Sequence, residues 1–199
     1  MEEIRIAAAQ FEVRNADKEY NLGVMSGLVE EAVKKGADII SFPEVCIPAY
    51  SFMRKSSREE IGELSESVPG GASVKRLMEM SGDFRIPVLA GLIEREGDQY
   101  FNTYVCVDGD QLVAKFRKLH AFINPHISCG NEYVTFQLRG CTCSILICYD
   151  NNLACNVQAV AQLGAEIVFM PHVTCCLDWP IPGSGKVSRE VWDRRAEDP

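Results

Sequence analysis

Apolar runs too short for helices alternate with one amphipathic helical stretch at the start of the chain, and this order limits the possible architectures. Ile4 to Phe11 reads as a strand. Asn15 or Asp17 can cap a helix from about Lys18 to Lys35, with Leu22, Met25, Leu28, Val29, Ala32 and Val33 on one face. Gly36 ends it, and Asp38 to Phe42 is a second apolar strand that stops at Pro43-Glu44. Strands apolar on both faces, joined through a helix, predict parallel pairing within a sheet covered by helices.

The middle of the chain continues this pattern. Pro48 to Ser56 reads as a loop carrying Tyr50 and Phe52, Ser57 to Ser67 as a short charged helix, and Ala72 to Gly82 as a helix with Val74, Leu77 and Met78 inward. Ile86 to Leu92 is a strand ending in Gly91. Asp108-Gly109-Asp110 between Tyr100 to Val107 and Gln111 to Arg117 is a hairpin signal. The stretch from Ala121 to Glu132 is irregular, and Tyr133 to Leu138 is a strand. Beyond Pro171-His172 only Ser188 to Arg195 carries a trace of periodicity. No internal repeat or linker divides the chain, so one domain over 1–199 is expected.

One segment joins this organisation to chemistry. Cys143 to Ile147 is a compact apolar strand that breaks into Tyr149-Asp150-Asn151-Asn152, and Leu153 to Leu163 reads as a helix that any of Asp150, Asn151 or Asn152 can cap. Cys148 thus stands where a buried strand turns into a helix. Nearby helix amides favour the thiolate there, although the same position also suits a small buried cysteine. Three strand ends then carry reactive groups: Glu44 after Ile39–Phe42, Lys118 after the hairpin, and Cys148 after Ser144–Ile147. In open α/β sheets ligands bind beyond the carboxyl ends of strands. A thiol there attacks a carbonyl or nitrile carbon, a carboxylate takes its proton, and an ammonium stabilises the developing anion. Taken singly, Lys118 reads as a solvated lysine and Glu44 as a cap, so only their joint order supports a site.

The segments Phe42-Pro43-Glu44, Arg117-Lys118-Leu119-His120 and Cys148-Tyr149-Asp150-Asn151 resemble the three signature segments of the nitrilase superfamily, the carbon–nitrogen hydrolases. Ile6-Ala7-Ala8-Ala9-Gln10, Lys35-Gly36-Ala37-Asp38 and Leu163-Gly164-Ala165-Glu166 also look like that family, and the likeness covers about residues 4–172. The resemblance implies an α/β fold, an αββα sandwich, usually dimeric or larger, with no metal or organic cofactor. It implies cleavage of non-peptide C–N bonds in a small-molecule amide, carbamoyl compound or nitrile. Glu44 would be the general base, Lys118 would stabilise the tetrahedral intermediate, and Cys148 would form the thioester or thioimidate. Tyr50, His120, Tyr149, Asn151 and His172 are candidates for contact with substrate. An amidase is preferred over a nitrilase, and the same thioester can pass its acyl group to an amine.

Two departures from the family pattern stand out. Many members carry a second glutamate between the lysine and the cysteine, a few residues before a glycine, where it orients the lysine and contacts substrate. Counting back from Gly130 gives Pro125, and Glu132 lies on the far side of that glycine. Either Glu132 or a residue elsewhere substitutes, or the site is weakened. The family's sandwich also continues well past the Pro171-His172 strand end. The later part of the second sheet layer is therefore expected to be missing, with an apolar edge exposed and poor stability alone. The alternative reading is a catalytically impaired binding protein on the same scaffold.

Composition narrows the partners. A net charge of −8 argues against nucleic acid or an anionic membrane surface. The acidic start, Met1-Glu2-Glu3, lacks the apolar core of a signal peptide, and no apolar run reaches the length of a membrane span, so a cytosolic setting is expected. Nine cysteines without paired Cys-x-x-Cys knuckles suggest small core residues rather than a disulfide framework or zinc site, with Cys175-Cys176 a weak metal signal.

Overall fold

Asp17 starts the first helix: its Oδ1 accepts the amide of Tyr20 at 3.0 Å, satisfying one of the donors every helix start leaves open. The computed structural model describes residues 3–173. The elements run β1 (Ile6–Ala8), α1 (Lys18–Lys34), β2 (Ile39–Ser41), α2 (Arg58–Leu64), α3 (Ala72–Phe84), β3 (Val88–Glu96), β4 (Gln99–Asp108), β5 (Gln111–Arg117), β6 (Ile127–Ser128), β7 (Thr135–Leu138), β8 (Cys141–Ile145), α4 (Ala154–Gln162) and β9 (Ile167–Phe169). The trace of periodicity at Ser188 to Arg195 and the Cys175-Cys176 pair lie outside the described residues.

Two sheets face each other. The first has the order β1-β2-β3-β4-β5, with the short β6 alongside β4, and the second has the order β7-β8-β9. Only β1, β2 and β3 run parallel among the first five strands; β3-β4-β5 form an antiparallel meander. The parallel pairing expected at the start of the chain holds where a helix makes the crossover, and the expected hairpin at 108–110 reverses the chain between β4 and β5. A second such turn, at Gly97 (φ 56°), was not anticipated. On the first sheet, Leu22, Met25 and Val29 of α1 and Val74, Leu77 and Met80 of α3 pack on Ile40, Val88, Ala90 and Val105. The residues one step along, Ile39, Leu89, Tyr104 and Cys106, point the other way and meet Phe136, Leu138, Cys143 and Ile145 of the second sheet. α4 links the parallel strands β8 and β9 and adds Val160 to that core, giving helix, sheet, sheet, helix. Val33, expected inward, is exposed, and Ser51–Lys55 forms a 3-10 turn where a loop was expected. Among the described residues β9 pairs only with β8, and Leu163 and Met170 nearby are exposed.

β3 does not stop at Gly91. It continues through Glu94 and Glu96 because a charged cluster lets the ladder carry a buried carboxylate. Glu94, 1% exposed, accepts Lys115 Nζ at 2.6 Å, Arg117 Nη2 at 2.7 Å and Thr103 Oγ1 at 2.8 Å. Burial alone raises its pKa, but the donors from Arg117, Lys115 and Thr103 outweigh it and hold the carboxyl below its ordinary value. A carboxylate with a depressed folded pKa stabilises the fold above its unfolded value of ~4.3, and that stability fades as pH falls through the folded value. Glu94→Gln is therefore expected to lower the urea midpoint at pH 7 and to flatten its decline below about pH 4.3. Parallel pH profiles for the two proteins would contradict this.

Candidate active site

Lys118 is the first residue past β5, and the period-two alternation of Phe116 and Lys118 turns its side chain toward the second sheet. It is 1% exposed, so the solvated reading fails. Lys118 Nζ donates to Glu44 Oε1 at 2.7 Å, and Glu44 is itself wholly buried. Around the ammonium stand the rings of Phe122, at 5.1 Å, and Tyr50, at 5.6 Å. A buried ion pair is tolerated only when further hydrogen bonds satisfy it. Asn102 Nδ2 donates to Glu44 Oε1 at 2.7 Å, and the Val173 amide donates to Oε2 at 3.2 Å.

Two glycines make this approach possible. A Cβ on Gly91 would lie 2.2 Å from the Val45 nitrogen, so only glycine lets the turn after Glu44 rest on β3. A Cβ on Gly130 would lie 2.3 Å from the Arg117 carbonyl, and Gly130 donates its amide to Lys118 O at 2.8 Å. The backbone is strained at the same places. Val45 has φ 45° and Cys148 φ 50°, the left-handed region that costs a β-branched or bulky residue most.

Cys148 is half-buried and opens a 3-10 turn, Cys148–Asn152, rather than the helix itself. The Asp150, Asn151 and Asn152 side chains do not cap α4; Leu153 occupies that position without a side-chain bond. Asp150 instead reaches across to the lysine segment. Its buried carboxylate accepts Leu119 N at 3.1 Å, His120 N at 2.9 Å and pairs with His120 Nδ1 at 2.9 Å. It thereby ties the turn that begins at Cys148 to the residues after Lys118. Asn151 Nδ2 donates back to Cys148 O at 2.6 Å and lies 3.5 Å from His172 Nδ1. Cys148 N donates to Pro171 O at 2.9 Å, so residues 171–173 touch both the cysteine and Glu44.

The expected thiolate is not found. Burial pushes the Cys148 thiol up, the Glu44 carboxylate pushes it further, and Lys118 only partly offsets them, leaving it at about 11. The helix whose amides were expected to favour the thiolate begins only at Ala154. The thiol is therefore neutral near pH 7 and needs a base to become a nucleophile. Both ionic groups of the buried pair thus act electrostatically on the Cys148 thiol.

Of the other candidates, Tyr50 is buried beside Lys118, whereas His120 and Tyr149 are partly exposed. The Tyr149 ring meets His120 at 6.1 Å and Phe122 at 5.6 Å, edge to face. Neither position considered for the second glutamate reaches the site. Pro125 is exposed, and Glu132 is exposed beside Lys115, Arg117, Asn131 and Val134 on a shallow pocket whose walls include none of the three reactive groups. Asn102 and Phe122 were not anticipated. Asn102 left a signal, a polar amide inside the apolar strand Tyr100 to Val107, since buried polar groups need partners. Among the described residues no group of three His, Cys, Asp or Glu is arranged to hold a metal ion, and no helix is long and apolar enough to cross a membrane.

Comparison with known proteins points to one family. The family model described as carbon-nitrogen hydrolase matches residues 5–192. A nitrilase of Pyrococcus abyssi is 26% identical over 171 residues, 84% of this chain and 64% of that protein. An omega-amidase of Bos taurus is 29% identical over 184 residues, 86% of this chain and 64% of that protein. The chain thus spans about 64% of the length of these curated relatives. A solved structure of a mutant amidase from Nesterenkonia sp. AN1, with acrylamide added to its active-site cysteine, superposes with a TM-score of 0.72 at 25% identity. It covers 85% of this chain and 66% of that one.

Proposed function

Because the chain belongs to the carbon–nitrogen hydrolase family, we propose that it hydrolyses a small-molecule amide through a thioester on Cys148. The observation that carries this reading is the buried Glu44–Lys118 pair acting on a half-buried, neutral thiol. Glu44 takes the proton as sulfur attacks the carbonyl carbon, and Lys118 faces the oxyanion as the C=O opens. The collapsing intermediate expels the amine, which leaves with the proton held by Glu44. Water, activated by the same carboxylate, then cleaves the thioester and releases the acid. His120, Tyr149, Asn151 and His172 form the rim the substrate passes, with Tyr50 deeper beside Lys118. The resemblance to the family further suggests a cytosolic homo-oligomer built on one sandwich domain, with no cofactor.

Amidase is preferred to nitrilase because amidases stand among both the relatives and the solved structures that the chain resembles. The test pairs acetamide, propionamide and butyramide with their nitriles and measures ammonia. Release from the amides, with hydroxamate formed when hydroxylamine is added, supports the reading. Release from the nitriles alone would reverse the preference. Binding of butyramide without turnover would favour a binding protein on the same scaffold.

A further inference from the structure

Asn102 lies on β4, 2% exposed, and is bound to both members of the buried ion pair. Its Nδ2 donates to Glu44 Oε1 at 2.7 Å, the oxygen that also receives Lys118 Nζ at 2.7 Å. Its carbonyl accepts the Lys118 amide at 2.8 Å. Glu44 Oε2 receives only the longer bond from Val173 N, 3.2 Å, among the described residues. Asn102 Oδ1 is buried with no hydrogen-bond partner among the described residues. The amide cannot be turned to satisfy it, because that would set its oxygen against the Glu44 carboxylate. The fold thus leaves one acceptor unmet to keep a donor on Oε1.

We infer that Asn102 is a positioning residue of the reaction: with Lys118 it saturates Glu44 Oε1 and leaves Oε2 as the oxygen that takes the thiol proton. This rests on the reading of Glu44 as the base. A carboxylate oxygen that accepts two short donors, one of them charged, has little capacity for a third, while Oε2 keeps a lone pair.

The test is the pH profile of Cys148 alkylation by iodoacetamide, read site by site by peptide mass spectrometry on the folded full chain. With Glu44 as base, labelling reaches a plateau well below the pH at which the free thiol ionises. Asn102→Leu removes a donor to the ionised carboxylate. It is expected to move the acid limb of this profile up by about one pH unit, making labelling on that limb about tenfold slower. Asn102→Asp keeps the shape but sets a second carboxylate against Glu44, and is expected to move the limb further. Profiles that overlie the wild type once scaled to the folded fraction would overturn the inference and leave Asn102 a packing residue. If Glu44→Gln labels Cys148 as fast as the wild type, the base reading itself fails, and the role of Asn102 with it.

Discussion

Cys148→Ala is expected to lower ammonia release from a turned-over amide by at least about a thousandfold, because the sulfur is the atom that would bond to the acyl carbon and no neighbouring group can replace it. Alanine keeps a Cβ at the same left-handed φ, so the backbone strain is unchanged and the fold should survive. The ring contacts of Tyr149 with His120 and Phe122 do not involve the sulfur. Amide binding is therefore expected to persist, measurable by calorimetry with butyramide as the probe. Ammonia release that continues in the alanine protein would rule out the thioester route. Loss of both binding and folding would point instead to a structural cysteine.

The second large effect is on stability. Lys118→Met is expected to destabilise the fold by about 3–5 kcal/mol, because it leaves the fully buried Glu44 carboxylate without its cation. Methionine roughly matches the lysine stem in volume, so little of the loss comes from a cavity. Adding Glu44→Gln should recover much of the loss, since removing both charges of a buried pair is often near neutral while removing one is not. Urea unfolding of the two single variants and the double variant measures the coupling. A single-variant cost under about 1 kcal/mol would mean that the pair is solvated in solution. Lys118 is also the one influence identified as lowering the Cys148 thiol through its charge, so Lys118→Met should raise it above its present value of about 11 and slow labelling near neutral pH.

The three candidate residues, Glu44, Lys118 and Cys148, were legible because each follows a short apolar strand and carries a distinct side chain, and local sequence records both facts. Their surroundings were less so. Asp150 read as a helix cap since the amides of Leu119 and His120, its true partners, are about thirty positions away along the chain. Glu94 to Glu96 read as the end of a strand since the cations that neutralise Glu94 come from β5. The Cys148 thiol was expected low on the strength of a nearby helix start, which acts over about one turn. Burial and the Glu44 carboxylate, both products of the fold, outweigh it.

By itself, the sequence determined the order of most strands and helices, the two-sided burial of β2, β3, β4 and β8, the 108–110 hairpin and the order Glu44, Lys118, Cys148. Those depend on periodicity and turn chemistry, which act over a few residues. Only the tertiary structure decided that Glu44 and Lys118 are buried against each other, that burial and the Glu44 carboxylate push the Cys148 thiol up, and that Asn102 donates to the same carboxylate oxygen as Lys118. Charge state and hydrogen-bond partners depend on what packs across the sheets, and two facing sheets bring together residues that the chain keeps 74 positions apart.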